Sequence, residues 1–282
     1  MKIAISVEST ADLTKELIDK YNFKLIPFSI QLGDKSGFDG EITTDEIIEF
    51  VNKNGVLPKT SAINEFQYTE HFSAILKEYD AVIHFSLSSK LSLACTNAKK
   101  TASEMKNVFV VDSLSLSTGI SLLAIYASEL VGQGLKVDEI YEKVVARVPS
   151  VQASFELKRL DYLYKGGRCS GLTLFGANLL KIRPQILVED GKMLPGKKYR
   201  GNFSHVVKNY CQDVFDKFNT PDLSRAFVTY TTANDEIVDI AVNSLRERGF
   251  KKIIVTRAGA TITSHCGEDC LGILYMNDGK LF

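Results

Sequence analysis

Ala81-Val82-Ile83-His84-Phe85-Ser86-Leu87, followed by Ser88-Ser89-Lys90-Leu91-Ser92, is the stretch that decides the fold. A short apolar run with β-branched residues and no in–out alternation predicts a strand covered on both faces, as in a parallel sheet. The serine-rich turn after it, and an amphipathic stretch to about Met105, complete one strand–loop–helix unit. The same unit recurs upstream. Lys2–Val7 reads as a strand, Ser9-Thr10-Ala11-Asp12 as a helix start, and Leu13, Leu17, Ile18 and Tyr21 as one helical face. Phe23–Leu32 reads as a second strand and Gly33–Gly40 as a polar turn. Thr43 with Glu46 forms a capping box for a helix that ends at Asn54-Gly55. Leu57–Asn64 reads as a loop. Asn64 with Gln67 caps the next helix, whose buried side is marked by Phe66, Ile75 and Leu76. Downstream, Val108–Val111 is a strand, a helix follows Asp112-Ser113 through Leu130, and Val137–Val148 is helical. Repeated strand–helix units predict parallel strands joined by right-handed crossovers.

From Ser150 the pattern changes. Val151–Glu156 reads as a strand, Leu160–Tyr164 as a short helix and Gly171–Leu180 as helical. Pro184–Val188 and Lys192–Leu194 flank Glu189-Asp190-Gly191, a hairpin signal. A helix over about His205–Phe218, then a strand (Arg225–Thr231), a helix (Asn234–Arg248) and strands at Lys251–Thr256 and Gly272–Tyr275, complete an α+β region. The expected architecture is α/β with two tightly packed domains. Residues 1–150 would hold a mostly parallel, doubly wound sheet, and residues 151–282 an α+β domain.

The 282 residues suit two domains. Lys plus Arg and Asp plus Glu both number 34, so formal net charge is zero, against the basic excess usual in a nucleic-acid binder. No apolar run approaches the roughly 18–20 residues of a membrane helix, and the first strand is too short for a signal peptide. The five cysteines are odd in number and irregularly spaced, which predicts reduced thiols in a cytoplasmic protein. His265-Cys266-Gly267-Glu268-Asp269-Cys270 is the one ligand-like cluster. It lacks the second pair that structural zinc normally needs, so no metal is expected. There is no G-x-S-x-G, no H-E-x-x-H and no dinucleotide fingerprint. Gly196–Gly201 has P-loop spacing, but Asn202 stands where lysine belongs, so nucleotide binding by this chain alone is not supported.

Hydroxyl groups crowd the loops after strands: Thr60 and Ser61, then Ser86, Ser88, Ser89 and Ser92. Each alone is best read as a helix or turn cap. Several converging at one crevice would make a pocket of neutral donors for a carboxylate or phosphate. In open α/β sheets such a crevice lies beyond the carboxyl ends of the strands, here at Glu8–Thr10, Ser88–Ser92 and Asp112–Ser115. Arg168 and Arg200 sit beside glycines in turns, and His265, after a strand, is either a buried structural histidine or a donor to an anion.

Ser9-Thr10-Ala11-Asp12-Leu13, Thr60-Ser61, Ser88-Ser89-Lys90-Leu91-Ser92, Leu160–Arg168, Arg183-Pro184-Gln185-Ile186-Leu187 and His265 with its glycines together resemble the DegV family across nearly the whole chain. The resemblance implies two α/β domains with a long-chain fatty acid of the palmitate type between them. It also implies that the chain is a lipid carrier without catalytic residues or cofactor. In bacteria that have the system, similar proteins are the acyl-carrying subunit of a fatty-acid kinase. A separate ATP-binding subunit phosphorylates the bound fatty acid for phospholipid synthesis. Carried over by position, Thr60 and Ser92 would bond the carboxylate, with Ser61 a weaker neighbour and Ser88 a lesser candidate. His265 would lie near the head group, Arg200 would serve phosphotransfer or docking of the kinase, and Arg168 has an open role. The chain departs from the family at Glu8, where Asp is usual, at Leu93-Ala94-Cys95 and at Gly267-Glu268-Asp269. Two other readings stand beside this one: an enzyme subunit holding a small hydroxyketone covalently on His265, and a regulatory protein that binds only a protein partner.

Overall fold

The computed structural model describes residues 1–169 and 182–279. In chain order, β1 (Ile3–Glu8) leads through a 3-10 turn to α1 (Lys15–Tyr21), then β2 (Lys24–Ile26), β3 (Ser29–Leu32), β4 (Lys35–Phe38) and α2 (Thr44–Asn54). β5 (Lys59–Ser61), α3 (Glu65–Leu76), β6 (Ala81–Ser86), α4 (Ala94–Ser103), β7 (Val108–Asp112), α5 (Thr118–Gly132) and α6 (Val137–Arg147) follow. The remainder comprises β8 (Val151–Glu156), α7 (Asp161–Gly166), β9 (Arg183–Glu189), β10 (Lys192–Tyr199), α8 (Phe203–Lys217) and β11 (Ala226–Tyr230). It ends with α9 (Asp235–Arg248), β12 (Ile253–Arg257), α10 (Ala260–Cys266) and β13 (Leu271–Met276). The helix expected over 171–180 lies outside the described residues.

The α/β class is as expected. One sheet is wholly parallel, ordered β2-β1-β6-β7. Every residue of β1 and β6 is buried, which explains why their apolar residues do not alternate with exposed polar ones. A six-stranded mixed sheet, β10-β9-β8-β13-β11-β12, uses the later strands, with only β11 and β12 parallel. α5 joins the two. It packs on β1 and β6 of the first sheet and on β8 and β13 of the second. It is buried nearly all round, as a helix without a polar face must be. The chain turns one way from β1 to β2 and the other way to β6. The crevice between the ends of β1 and β6 is therefore a topological switch point.

The sequence reading needs correction in six places. Phe23–Leu32 is two strands, because Pro27 lacks the N–H that would continue the ladder beside β1. β3 instead joins a third, antiparallel sheet ordered β4-β3-β5. Two of its strands fall in segments read as turn (Gly33–Gly40) and loop (Leu57–Asn64). Ser9–Ala11 is a 3-10 turn ended by Asp12 at φ 51°, and α1 starts later under a Thr14 cap. Phe66 is 68% exposed, and Tyr68, Phe72 and Ile75 form the buried side of α3. His265 lies on α10, a helix absent from the sequence reading. Both capping boxes form, at Thr43/Glu46 and Asn64/Gln67. Asp190 (φ 48°) and Gly191 (φ 79°) make the expected tight hairpin turn between β9 and β10. Among the described residues no helix is long and apolar enough to cross a membrane.

Candidate functional site

Beyond the ends of β1 and β6 lies a cavity of about 260 Å³. Leu87, Leu91 and Leu116 line it from the side of the parallel sheet, Met193 from β10, and Ile262 from α10. Thr60, Ser92, Thr261 and His265 supply its uncharged polar groups, and Arg168 stands at its rim. A narrow continuation of about 20 Å³ shares Leu116, Ile262 and Cys266 with it and runs toward Phe155, Tyr230 and Leu274.

Backbone register selects Thr60 over its neighbour. β5 pairs with β3, Thr60 opposite Ile30 and Ser61 opposite Ser29, and successive side chains on a strand face opposite ways. Thr60 lines the cavity, whereas Ser61 is exposed and lines no part of it. Thr60 Oγ1 is hydrogen-bonded to His265 Nε2 at 2.9 Å. His265 Nδ1 is buried and has no partner among the described residues. Burial, and secondly the positive charge of Arg168, lower the His265 pKa to about 4, so the imidazole is neutral at pH 7. A Cβ on Gly166 would come within 3.0 Å of Nδ1, so a glycine at the end of α7 lets that helix close over the ring.

Ser92 lines the same cavity, and its Oγ accepts from Ala94 N at 3.2 Å. The cap and the pocket donor are thus one hydroxyl, whose own proton remains available. Ser88 has a different task. Its buried Oγ donates to Gly191 O at 2.7 Å and accepts from Lys90 N at 3.2 Å, fastening the serine loop to the β9–β10 hairpin. Arg168 is exposed, and its Nη1 donates to Gly166 O at 2.5 Å. Arg200 is exposed after β10 and lines neither the cavity nor its continuation. Thr60, Ser92 and His265 are therefore brought together with Arg168 at the rim. Ser61, Ser88 and Arg200 lie outside the cavity.

Buried carboxylates hold this arrangement, a role the sequence reading gives to none of them, although it names Glu8 at the crevice and Asp12 in a family motif. Glu8, at the end of β1, is wholly buried. It accepts from Tyr68 Oη, Ser86 Oγ and Thr10 Oγ1, and from Leu87 N at 2.8 Å, where the serine loop begins. Asp12 and Asp39 cap α10. Asp12 Oδ1 accepts from Gly259 N at 2.7 Å, and Asp39 accepts from Ala260 N at 2.8 Å and Thr261 N at 3.3 Å. Burial pushes the Asp12 pKa up to about 8. Hydrogen bonds from Ser117 and Gly259 oppose the rise, and the Asp39 charge adds to it. Acidic residues next to α10 in space, and far from it in sequence, left no local signal.

The cysteines of the His265–Cys270 cluster are both buried and free, and burial, with Cys266 as a neighbour, pushes the Cys270 thiol well above its ordinary pKa. Among the described residues, no group of three or more His, Cys, Asp or Glu side chains converges to hold a metal. The site can accommodate an apolar chain with one anionic end met by neutral donors.

A family profile described as an uncharacterised protein, DegV family, matches residues 2–278. A curated relative from Thermotoga maritima, named a fatty acid-binding protein, is 32% identical over 285 residues, covering 96% of each chain. A DegV domain-containing protein of Clostridium acetobutylicum is 29% identical over 98% of each chain. Among solved structures, a DegV lipid-binding protein of Thermotoga maritima superposes with a TM-score of 0.85 at 31% identity, covering 98% of each chain. A DegV-family protein of Thermus thermophilus, described by its fatty acid binding, gives a TM-score of 0.89 at 24% identity, over 98% of this chain and 100% of its own. The fatty acid kinase (Fak) B3 protein of Streptococcus pneumoniae, loaded with linoleic acid, gives 0.84 at 21% identity, over 99% of this chain and 100% of its own. At those two identities the likeness is one of fold.

Proposed function

The chain belongs to the DegV family, and from that premise we propose that it holds a long-chain fatty acid in the cavity between its two main sheets. The observation that carries this reading is the pairing of an apolar cavity with a neutral polar cluster at one end. Thr60 and Ser92 receive the carboxylate, His265 orients Thr60 through Nε2, and the acyl chain runs past Ile262 toward Phe155. About 14 methylenes at about 0.8 kcal/mol each give roughly 11 kcal/mol of burial before ordering costs. The carboxylate needs partners to enter charged, and hydroxyls supply them without clamping both oxygens as a bidentate arginine would.

In this reading the protein is a cytoplasmic carrier, not an enzyme, and needs no cofactor. It presents the carboxyl to a separate ATP-dependent kinase that makes acyl phosphate for phospholipid synthesis. The likeness to proteins described as fatty acid binding, and to one named for fatty acid kinase, supports it. The reading includes two domains, residues 1–150 and 151–282, with the lipid between them. In support, the parallel sheet is complete by Asp112 and the mixed sheet begins at Val151. A covalent hydroxyketone on His265 is disfavoured, because Nε2 is engaged by Thr60 and Nδ1 faces Gly166.

Thr60→Ala and Ser92→Ala each remove one hydrogen bond to a charged oxygen, worth about 1.5–3 kcal/mol. Each is expected to weaken palmitate binding about ten- to hundredfold, read by native mass spectrometry of protein purified without detergent. Full lipid occupancy in both variants would refute the head-group assignment. Arg200, exposed and outside the cavity, is assigned to docking the kinase. Arg200→Ala should leave palmitate bound yet sharply reduce acyl-phosphate formation with a cognate kinase, and an unchanged rate removes the assignment.

A further inference from the structure

Outside the cavity mouth lies an open groove of about 560 Å³. Lys90 enters it from the serine loop, Arg168 from the turn after α7, and Lys192 from the start of β10. Cavity and groove share Ser92 and Arg168, so the groove begins where the polar end of the cavity stops. The three cations are brought together by the fold rather than by chain proximity. Ser88 ties the loop to Gly191, whose Cβ, were it present, would lie 3.2 Å from Lys90 Cγ, and Cys169 bridges to Met193.

The ion pairs among the described residues engage other cations, so Lys90, Arg168 and Lys192 carry charge unmatched by a described carboxylate. Asp112, near the loop, already accepts from Ser89 N and Leu114 N and lies 3.9 Å from Lys99. No acidic residue lines the groove among the described residues.

A carboxylate met by the hydroxyls of Thr60 and Ser92, with His265 behind Thr60, has one negative charge, and three further cations exceed its need. They match a group bearing two or more charges, such as a phosphate, which carries about −1.5 to −2 near neutral pH. Arg168 adds a planar fork for two oxygens, and the lysines add point charges. The first turn of α4, behind Ser92, presents the positive end of its dipole to the same place. Resting on the carrier reading above, we propose that Lys90, Arg168 and Lys192 form a phosphate site. It takes either the phosphorylated head of the bound lipid or the terminal phosphate of a nucleotide brought by a partner.

The test compares wild type with a Lys90→Ala/Lys192→Ala double variant, which leaves the cavity lining intact. Hexadecyl phosphate probes a phosphate attached to a buried chain, and pyrophosphate, added to palmitate-loaded protein, probes a free one. Removing two charge-assisted contacts is expected to weaken one or both about tenfold or more, with palmitate retention unchanged. A loss confined to hexadecyl phosphate assigns the site to the lipid's own head, whereas loss of pyrophosphate binding assigns it to an incoming nucleotide. Unchanged affinity for both probes overturns the proposal. So does a variant that binds both probes normally but loses adhesion to phosphatidylglycerol vesicles, which would make the patch a membrane-facing surface. If wild type retains neither palmitate nor hexadecyl phosphate, the carrier reading fails. Pyrophosphate titrated into lipid-free protein then decides the groove by itself.

Discussion

Replacing Ile262 with tryptophan is expected to leave a folded protein that no longer retains fatty acid. Ile262 lines both the main cavity and its narrow continuation, so a larger ring there plugs the neck between them. Ile262 is only partly buried, and the ring has the cavity to enter, which limits damage to the core. A ring that blocks the neck and also fills part of the main cavity, displacing about half of the chain, costs roughly 5–6 kcal/mol of burial, and binding weakens about ten-thousandfold. Native mass spectrometry reads the occupancy and circular dichroism verifies the fold. A variant purified with one fatty acid per chain would show that the acyl chain follows another path.

The second large effect is on stability. Glu8→Ala deletes the acceptor of a buried set of donors: Tyr68 Oη, Ser86 Oγ, Thr10 Oγ1 and the Leu87 amide. The hydroxyls can turn toward one another, but the amide cannot. The expected loss is about 3–5 kcal/mol, a large share of the 5–15 kcal/mol that usually separates folded from unfolded chains. Urea unfolding should show a much lower midpoint, and a midpoint equal to wild type would mean that Glu8 is dispensable. Because the Leu87 amide opens the loop carrying Ser92, surviving folded protein should also hold lipid less tightly.

Long apolar strands and self-contained caps were legible before the structure was known. β1, β6 and β8 announce themselves because their burial is continuous, and the Thr43/Glu46 and Asn64/Gln67 boxes because each bonds within four residues. The small β4-β3-β5 sheet was not legible. Its strands are three or four residues long, and β4 is largely exposed, so only backbone pairing defines it. α10 was missed because Thr261, Ile262 and Thr263 favour strand locally, and the helix is secured instead by distant carboxylates. The site follows the same division. Family resemblance brought out Thr60, Ser92 and His265. That Thr60 faces inward and Ser61 outward depends on the β3–β5 register, and that Ser88 is a fastener depends on a hairpin a hundred residues away.

The caps on α10 also set an order of events on the ribosome. Asp12 is separated from Gly259, and Asp39 from Ala260, by 247 and 221 positions. The chain is made from its N-terminus, so both carboxylates emerge long before the amides they receive. Throughout that interval the helix bearing His265 does not exist and the cavity lacks a wall. On the carrier reading, a growing chain then has no place to keep a fatty acid and loading follows completion of that wall, while a chain halted before about residue 259 would expose the apolar lining of an unclosed cavity.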